Sequence, residues 1–462
     1  MSDRDSELFQ DAAARAARYL RDLSARPVRP TPESLRRLPE LEGPLPDAPT
    51  DPAAVLALLD DVGSPATVAT AAGRYFGFVT GGTLSAALAA SWLAAAWDQN
   101  AALAVMSPVA ATLDQIALDW LVDVLRLPTG TGGGLVTGAT MANVTALAAA
   151  RHALLARAGW DVEARGLFGA PPLTVVVGDE VHVSVLKALT ILGLGRERVV
   201  RVPTDDQGRM RADALPPLDA ATVLCLQAGN VNTGAFDPAR ELCAAARAAS
   251  AWVHVDGAFG LWAAAAPARA HLANGFAEAD SWAVDGHKWL NVPYDSGFAF
   301  CRDPEQLRAA MAFRAAYLLR GGERDPDHYT PEMSRRARGV EVWAALRSLG
   351  RAGVADMVER TCGHATRFAD GLRAAGHEVL NDVVLNQVLA RFGGDDGVTQ
   401  RVIDAVQADG TCWCGGTQWH GRAAMRISVS SWATTEDDVE RSLDAMLRAA
   451  ERVTGRLAER AV

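Results

Sequence analysis

Short, β-branched apolar runs alternate with helical patterns between residues 110 and 300. The runs are LTVVVGD near residue 173, ERVVRVP near 197, ATVLCLQA near 221, AWVHVDGA near 251 and SGFAFC near 296. Strands of this kind, separated by helices, are typical of a mostly parallel sheet that is covered by helices on both faces. The pattern therefore predicts an α/β fold, and such sheets bind their ligands at the carboxyl ends of the strands.

The segments on either side of this region predict an arm and a smaller domain. Residues 1–62 begin with an amphipathic helix and continue with a Pro-rich stretch, as expected of an arm or linker. We assign residues 63–320 to the large domain. Residues 321–462 contain a loop, two helices, the strand-like runs VVLNQVLARF and AMRISVSSW, and a closing helix from Thr435 to about Ala458. This last segment predicts a small α+β domain.

Charge and hydropathy exclude several classes of protein. The net charge of −10 is spread along the chain without a Lys/Arg-rich run, so neither nucleic acid nor an acidic membrane surface is an expected partner. The most apolar stretch, Leu84 to Trp97, is shorter than the roughly 20 residues that cross a bilayer. The acidic N-terminus is unlike a signal peptide, so we expect a cytoplasmic protein.

The six cysteines are scattered along the chain without the density of a disulfide scaffold. Reduced thiols in a cytoplasm are therefore expected. Only Cys412 and Cys414 form a close pair, and a zinc site would need more ligands near them. We expect core or surface cysteines and no metal.

Lys288 is the sharpest anomaly of the sequence. It lies in SWAVDGHKWLNVP, between apolar and aromatic neighbours. Burying an ammonium costs several kcal/mol unless it is paired or loses its proton, and a desolvated lysine with a lowered pKa is what imine formation requires. The alternative is a lysine that reaches solvent or forms a salt bridge.

Asp256 ends the alternating strand in AWVHVDGAFG and is followed by the small residues Gly257 and Ala258. A carboxylate is thereby placed at a strand end beside a space without side chains. Pyridoxal phosphate (PLP) needs an aspartate against its pyridine nitrogen and flat clearance for its ring. An aspartate at a strand end can instead bind a metal or cap a helix.

Two further segments open helices after strands. In GGGLVTGATMANVTALAAAR, backbone N–H groups at the helix start and the Thr140 hydroxyl suit a phosphate, although an ordinary N-capped helix explains the pattern equally well. In DEVHVSVLKAL, His182 opens a helix, and its imidazole is either structural or stacked on a flat cofactor ring.

Together these segments resemble the group II PLP-dependent decarboxylases, the family of aromatic-amino-acid, glutamate and diaminobutyrate decarboxylases. The resemblance extends from about residue 74 to 450 and includes the 32 positions from Asp256 to Lys288. Its motifs are RYFGFVTGG, SPVAATLDQIALDWL, TGATMANVTAL, HVSVLKA, GNVNTGAFDP, VHVDGAFG, DGHKWLNVPYDSG, SRRARGVEVWAALRSLG and MRISVSSWATTEDDV. The resemblance implies the fold type I PLP-dependent transferase architecture, and a homodimer with a shared active site and an arm that wraps the partner.

The resemblance also implies a role for each matched residue at the cofactor ring. Lys288 would form the Schiff base with PLP, and Asp256 would pair with the pyridine nitrogen. His182 would stack on one face of the ring, and Ala258 would pack on the other.

The phosphate and the 3-hydroxyl side of the cofactor are assigned in the same way. The resemblance implies that Gly138, Ala139 and Thr140 hold the phosphate, with His287 adjoining it. Asn230 would lie near the 3-hydroxyl.

The resemblance places the substrate end of the pocket at Arg74–Gly82 and at Ser107-Pro108, partly from the neighbouring subunit. An apolar wall favours an aromatic or bulky apolar amino acid, and it comprises Phe76, Phe78 and Val79. Arg426 lies where a glutamate decarboxylase has an arginine that contacts the substrate carboxylate, so an acidic substrate stays open.

The activity that the resemblance implies is decarboxylation of an L-amino acid to the amine and CO2. In animal aromatic decarboxylases a tyrosine of a mobile loop lies near the protonation step, and its position here falls on Pro326. Tyr329 is the nearest tyrosine, and His328 is an alternative. This departure leaves other PLP reactions open, namely an oxygen-dependent aldehyde synthase, an aldolase or carbon–carbon lyase, and an aminotransferase. A PLP-binding partner subunit without activity is the non-enzymatic alternative.

Overall fold

A seven-stranded mixed sheet lies at the centre of the larger part of the chain. The structure is a computed structural model that describes residues 3–313 and 324–455. The strands of this sheet are β1 (Gly132–Val136), β2 (Thr174–Gly178), β3 (Val200–Val202), β4 (Thr222–Gln227), β5 (Trp252–Asp256), β6 (Ser281–Asp285) and β7 (Gly297–Cys301). Their order is β1-β7-β6-β5-β4-β2-β3, in which β7 is antiparallel to both its neighbours and the other pairs are parallel.

A four-stranded antiparallel sheet forms the centre of the C-terminal part. Its strands are β8 (Glu378–Val379), β9 (Gln387–Arg391), β10 (Gly415–Trp419) and β11 (Arg422–Ser428), in the order β10-β11-β9-β8. Its core has apolar residues from β9, β11 and three helices, and Phe76 joins it from the N-terminal side. The chain before the large sheet is thus tied into the small domain.

Helices cover the large sheet and one face of the small one. Within the described residues the α-helices are α1 (Asp3–Asp22), α2 (Pro32–Arg36), α3 (Pro52–Leu58), α4 (Ser64–Ala66), α5 (Ser85–Trp97), α6 (Pro108–Val124), α7 (Ala139–Arg157), α8 (Val162–Arg165), α9 (Val183–Ile191), α10 (Ala239–Ala248), α11 (Pro304–Met311), α12 (Gly339–Ala374), α13 (Asp396–Asp409) and α14 (Glu436–Thr454). Helix α12 is kinked at Gly350, where φ is +59°.

Helix α7 shows why the sequence folds in this way beside the site. It packs against β5, β6 and β7, and most of its buried side chains are alanine. Small side chains let a helix lie close to a sheet. The close approach brings the start of α7, at Ala139, to the edge where β5 and β6 end.

The predicted α/β architecture is confirmed, and each apolar run named from the sequence between residues 173 and 301 contains a strand. Strands β6 and β10 and helix α13 were not predicted. The closing helix begins where expected, after the capping residue Thr435, and residues beyond Gly455 lie outside the described residues. The proposed division into domains at residues 62/63 and 320/321 stays a prediction, and the second boundary lies outside the described residues. No helix in the described ranges is long and apolar enough to span a membrane.

A buried ion pair joins α6 to the segment that precedes α12. Nη2 of Arg335 lies 3.0 Å from Oδ2 of Asp114, and the two side chains are 1% and 2% exposed. Arg335 also donates to the Thr330 hydroxyl. Burial raises the pKa of Asp114, and Arg335 opposes that shift. Each of these two buried charges is therefore stabilised by the other.

Removal of one partner should destabilise the fold strongly. We expect Arg335→Met to lower the free energy of unfolding by about 3–5 kcal/mol, because Asp114 is left buried without a counter-ion. Urea denaturation monitored by circular dichroism measures the change. In the matched control, Arg441→Met removes the exposed pair with Asp437 and should change stability by less than about 0.5 kcal/mol. Equal midpoints for both variants would contradict this account.

Candidate active site

Two parallel strands end side by side and bring their carboxylates to one edge of the sheet. Asp256 is the last residue of β5 and pairs in register with Ala283 of β6. Strand β6 ends two residues later at Asp285, and Lys288 follows after a further turn. This edge is the carboxyl end of the parallel strands, where ligands of α/β sheets bind.

Lys288 forms an ion pair in a largely buried setting. Its Nζ lies 2.9 Å from Oδ2 of Asp285, whose side chain is 2% exposed, whereas that of Lys288 is 17% exposed. The other carboxylate oxygen of Asp285 accepts the backbone N–H of Ala139 at 2.5 Å. Asp285 therefore ties the lysine to the start of α7. The amine itself stays within reach of a ligand.

Asp256 is buried and accepts several hydrogen bonds. Its Oδ2 is 3.2 Å from the Ser184 hydroxyl and 3.4 Å from the Asn143 amide nitrogen. Its Oδ1 accepts the backbone N–H of Ala258 at 3.2 Å. A carboxylate held in this way from three sides has a fixed orientation.

Behind Asp256, buried polar side chains continue the hydrogen bonding. His254 Nε2 lies 2.8 Å from Asn143 Oδ1, and His254 Nδ1 lies 2.9 Å from the Ser281 hydroxyl. The indole N–H of Trp252 donates to the same hydroxyl. Burial lowers the pKa of His254 to about 4, so its imidazole is neutral near pH 7.

His182 caps the start of α9 at the same edge. Its Nδ1 accepts the backbone N–H of Ser184 and lies 2.7 Å from that residue's hydroxyl. Burial lowers the pKa of His182. Asp256 opposes the shift, while the charges of Lys288 and Arg426 add to it. The neutral ring is thus close to both predicted cofactor residues.

The start of α7 is a compact corner. Gly138 offers no side chain to cap the helix, and a Cβ there would lie 2.9 Å from His287 Cε1. The His287 ring stacks on Tyr294 with centroids 4.4 Å apart, and its Nδ1 accepts the Ser296 N–H. Thr140 is the half-buried second residue of the helix. Backbone N–H groups at a helix start attract anions.

Asn230 and Arg426 lie at the other side of the edge. The amide oxygen of Asn230 accepts the N–H groups of Asn232 and Thr233, so it stabilises its own turn. Arg426 donates to the carbonyl of Val231 at 3.2 Å, and burial lowers its pKa. The charge of Arg426, a residue of β11, also contributes to the lowered pKa of His182.

The segment from Arg74 to Gly82 runs along Lys288. A Cβ on Gly81 would collide with the Lys288 carbonyl, and the N–H of Gly82 is bound by the Asn291 side chain. Phe78 and the next residue both have left-handed φ angles, +54° and +59°. Non-glycine residues in this region are strained, and such strain concentrates at functional sites.

The predicted apolar wall needs correction. Phe76 is completely buried in the small-domain core, where it packs edge-on against Phe368, and Val79 is buried in the core of the large domain. Neither side chain therefore faces an open pocket. Phe78 is 64% exposed and stacks on Trp413 with centroids 5.4 Å apart. Of the three, only Phe78 has an exposed side chain.

The structure does not bring Ser107, Pro108 or Tyr329 to Lys288 of the same chain. The Ser107 hydroxyl caps α6, and Pro108 is the exposed first residue of that helix. The Tyr329 ring lies under the guanidinium of Arg324, 4.1 Å from it. In the part of the chain that the structure describes, no contact joins these three residues to Lys288. They stay predictions for an assembly of two chains.

Cys412 and Cys414 are both buried free thiols, and burial raises the pKa of Cys414. No group of three or more His, Cys, Asp or Glu side chains with the spacing of a metal site occurs between residues 3 and 313 or 324 and 455.

Sequence reasoning missed Asp285 and the side chains behind Asp256. Asp285 carried a usable signal, because it ends the run SWAVD just as Asp256 ends WVHVD. Asn143, Ser184 and Ser281 carried none, since their roles depend on contacts between residues far apart in the chain.

These residues fit PLP. A lysine amine, a buried carboxylate, a neutral imidazole and an open helix start stand at one sheet edge, which are the groups that its aldehyde, ring nitrogen, ring face and phosphate need. The glycines at Gly81 and Gly138 keep this edge free of further side chains.

Comparisons with known proteins also indicate a PLP-dependent enzyme. Residues 32–392 match the family model described as the pyridoxal-dependent decarboxylase conserved domain. Tryptophan decarboxylase 1 of Oryza sativa subsp. japonica is 29% identical over 405 residues, which are 79% of this chain and 78% of the relative. A 4-hydroxyphenylacetaldehyde synthase of Rhodiola rosea is 27% identical over 359 residues, 72% of each chain. A crystal structure of Oryza sativa TDC with PLP and tryptamine superposes with a TM-score of 0.89 at 23% identity and covers 98% of both chains.

Fold and site together define a fold type I PLP-dependent enzyme. The chain belongs to the pyridoxal-dependent decarboxylase family, with PLP as its cofactor and an amino acid as its substrate.

The buried His254 should make stability depend on pH. Its pKa is about 4 in the folded protein and about 6.5 when unfolded, so between these values the unfolded state binds the extra proton. We expect the free energy of unfolding to fall as the pH drops from 6.5 to 4, by up to about 1.4 kcal/mol per pH unit. Urea denaturation of PLP-saturated wild type and His254→Gln tests this. The variant should have the shallower slope, with pH 8 as the reference at which His254 is neutral. Identical slopes would refute the assignment.

Proposed function

We propose that this decarboxylase acts on an aromatic L-amino acid, with Lys288, Asp256 and His182 as its principal catalytic residues. The observation that carries the proposal is their convergence at one sheet edge, beside an exposed phenylalanine. The aromatic-acid relatives add support for the substrate class. Gly81, three residues after Phe78, packs against the backbone carbonyl of Lys288.

Lys288 provides the amine that anchors the cofactor. Asp285, 2.9 Å away, holds that amine in place, and a lysine amine is the group that reacts with an aldehyde. PLP, when bound, supplies an electron sink for the pair of electrons that remains when CO2 leaves. Lys288 would thus act first as the anchor and then as a nearby base or acid.

The other residues hold the cofactor in one orientation. Asp256, a hydrogen-bond acceptor at the strand end, would bind the protonated ring nitrogen, and the neutral His182 ring would pack on the ring face. Gly138, Ala139 and Thr140 would hold the phosphate at the start of α7, with His287 beside it. Ala258 would leave room for the opposite face of the ring, and Asn230 would lie towards its 3-hydroxyl.

The substrate side chain would pack against Phe78. Trp413 holds that ring from behind, and Tyr75 stacks on the other part of Trp413 with centroids 5.1 Å apart. Aromatic pairs of this kind add about 0.5–1.5 kcal/mol beyond buried area. Arg426, a largely buried cation, would attract a carboxylate of the substrate, which favours an acidic amino acid as the second candidate.

A homodimer would complete the site. Helix α5 and the segment after it expose a group of large apolar side chains, namely Trp92, Leu93, Trp97, Val105 and Met106. Apolar groups of this size mark protein interfaces. In the dimer Ser107, Pro108 and Tyr329 or His328 would reach the active site of the partner, where the tyrosine returns a proton to the α-carbon. The six buried free thiols fit a reducing cytoplasm.

Lys288→Ala tests the cofactor assignment. We expect the activity to fall on the order of 10³-fold or more, because anchor and proton carrier are lost together. Borohydride reduction of the PLP-loaded wild type should attach the cofactor permanently to the tryptic peptide that contains Lys288. The sequence has one other lysine, Lys187. The variant Lys187→Ala is the matched control, and it should keep the activity and the labelling of the Lys288 peptide. Attachment elsewhere would overturn the assignment.

A substrate screen tests the reaction and the pocket. The PLP-loaded protein is incubated with each L-amino acid, and CO2, amine, ammonia and hydrogen peroxide are measured together. We expect CO2 and an equal amount of amine from an aromatic amino acid, and Phe78→Ala should lower kcat/KM about 10-fold or more through lost apolar contact. The control Phe168→Ala alters a 99% exposed ring and should have no effect. Aldehyde with ammonia and peroxide would identify an aldehyde synthase, as in the Rhodiola rosea relative.

A further inference from the structure

A line of buried polar side chains leads from the interior of the large domain to Asp256. Its members are Trp252 and His254 of β5, Ser281 of β6 and Asn143 of α7, and each is at most 3% exposed. We call these four residues the donor chain. Among the described residues, the side-chain hydrogen bond that joins them to a predicted cofactor residue goes to Asp256, and the roles assigned above do not use them.

The directions of the hydrogen bonds in the donor chain follow from its two ends, an indole N–H that can only donate and a carboxylate that can only accept. An indole N–H can only donate, so Trp252 donates to the Ser281 oxygen at 2.9 Å. The Ser281 proton is then free to be donated to Nδ1 of His254 at 2.9 Å. A neutral imidazole that accepts at Nδ1 carries its proton on Nε2. His254 therefore donates to Asn143 Oδ1 at 2.8 Å.

The last bond of the donor chain reaches the carboxylate. With its oxygen turned to His254, Asn143 directs its amide nitrogen to Asp256 Oδ2 at 3.4 Å and to Ser184 Oγ at 3.2 Å. The reverse amide orientation would place an oxygen against the acceptor-only carboxylate and an N–H against the N–H of His254. The acceptor-only carboxylate of Asp256 thus sets the polarity of the three residues that link it to Trp252, whose indole N–H can only donate.

We propose that the donor chain is a positioning device that stabilises the charged form of Asp256 and fixes it for the ring nitrogen of PLP. The inference rests on the proposed role of Asp256. Every dipole of the chain points its positive end towards the carboxylate, and hydrogen bonds in series strengthen one another in a low-dielectric interior. The lowered pKa of His254 keeps the imidazole neutral and therefore able to accept from Ser281 while it donates to Asn143.

The Ser184 hydroxyl does not replace this chain. It has one proton and two acceptors within reach, Asp256 Oδ2 at 3.2 Å and His182 Nδ1 at 2.7 Å. When the proton is given to His182, the Asn143 amide is the side-chain donor left to Oδ2. The donor chain therefore holds the carboxylate in both arrangements of Ser184.

The test uses two cofactors that differ only at the ring nitrogen. PLP is compared with its 1-deaza analogue, in which C–H replaces that nitrogen, and dissociation constants are measured for the wild type, Asn143→Leu, His254→Leu and His254→Gln. For the two leucine variants we expect PLP to bind about 10- to 100-fold more weakly, as for other outer-shell and charge-assisted bonds. Binding of the deaza analogue should stay at the wild-type value. His254→Gln retains a donor towards Asn143 and should restore most of the PLP affinity.

A matched control separates positioning from folding. His364 is also a buried histidine, but it bonds the Thr434 carbonyl in the small domain, so His364→Leu should cost stability without changing the preference for PLP over the analogue. Thermal unfolding of each cofactor-free variant measures that cost. If the leucine variants weaken both cofactors equally, or if glutamine does not rescue, the donor chain is only structural and the proposal is wrong.

Asp256→Asn distinguishes this failure from failure of the proposed function. If Asp256→Asn abolishes the preference for PLP and the leucine variants keep it, the role of Asp256 stands and the donor chain has no part in it. If Asp256→Asn itself keeps the preference, the assignment of Asp256 to the ring nitrogen fails, and the donor-chain proposal fails with it. If the role of Asp256 and the donor-chain proposal are both right, adding Asn143→Leu to Asp256→Asn should weaken PLP binding little further.

Discussion

The cost of holding a carboxylate out of water controls the arrangement of this protein around Asp256. A buried carboxylate without partners would take up a proton, and the neutral acid could not form an ion pair with a cationic ring nitrogen. The fold meets this demand with donors from three directions: the Ser184 hydroxyl at the start of α9, the Asn143 amide on α7 and the backbone of Ala258. The close packing of α7 on the sheet is a condition for the second of these. The alanines that permit it therefore serve the site as well as the core.

Much of the large domain was predictable because its signals are local. Strands β2 and β4 are largely apolar runs that contain β-branched residues, as both faces of a covered parallel sheet require, and β5 is an alternating strand. Strand β6 was overlooked, since SWAVD is short and runs directly into the lysine segment. Helix α13 was overlooked although it carries usable signals, namely the Asp395 cap, the helical spacing of Val402, Ile403 and Val406, and a glycine after its last residue.

The site was predictable where chemistry is written into one residue type and not where it depends on packing. Lys288 and Asp256 are conspicuous because a charged residue in an apolar segment is costly to bury and is therefore expected to have a specific partner or a catalytic role. The prediction for Phe76 and Val79 was wrong, because apolar residues beside a site are equally suited to the core. Only the fold decides which way each side chain points. The two left-handed residues in this segment rotate Phe78 away from the interior while its neighbours on both sides are buried. No single-sequence pattern announces such a backbone conformation when glycine is absent from the position.

Asp285 connects the two halves of the site. Its carboxylate accepts an N–H from the start of α7 with one oxygen and holds the Lys288 amine with the other. The positive end of a helix dipole stabilises an anion at this place, so the same helix start that suits a phosphate also stabilises Asp285 in its charged form. A phosphate that binds here must share the helix start with that carboxylate, and two anions are tolerated side by side only if positive charge lies between or around them. The Lys288 amine, 2.9 Å from Asp285, lies at this corner. A cofactor phosphate, the Asp285 carboxylate and the Lys288 amine would therefore interact electrostatically, so that a change to any one of them affects how the other two are held.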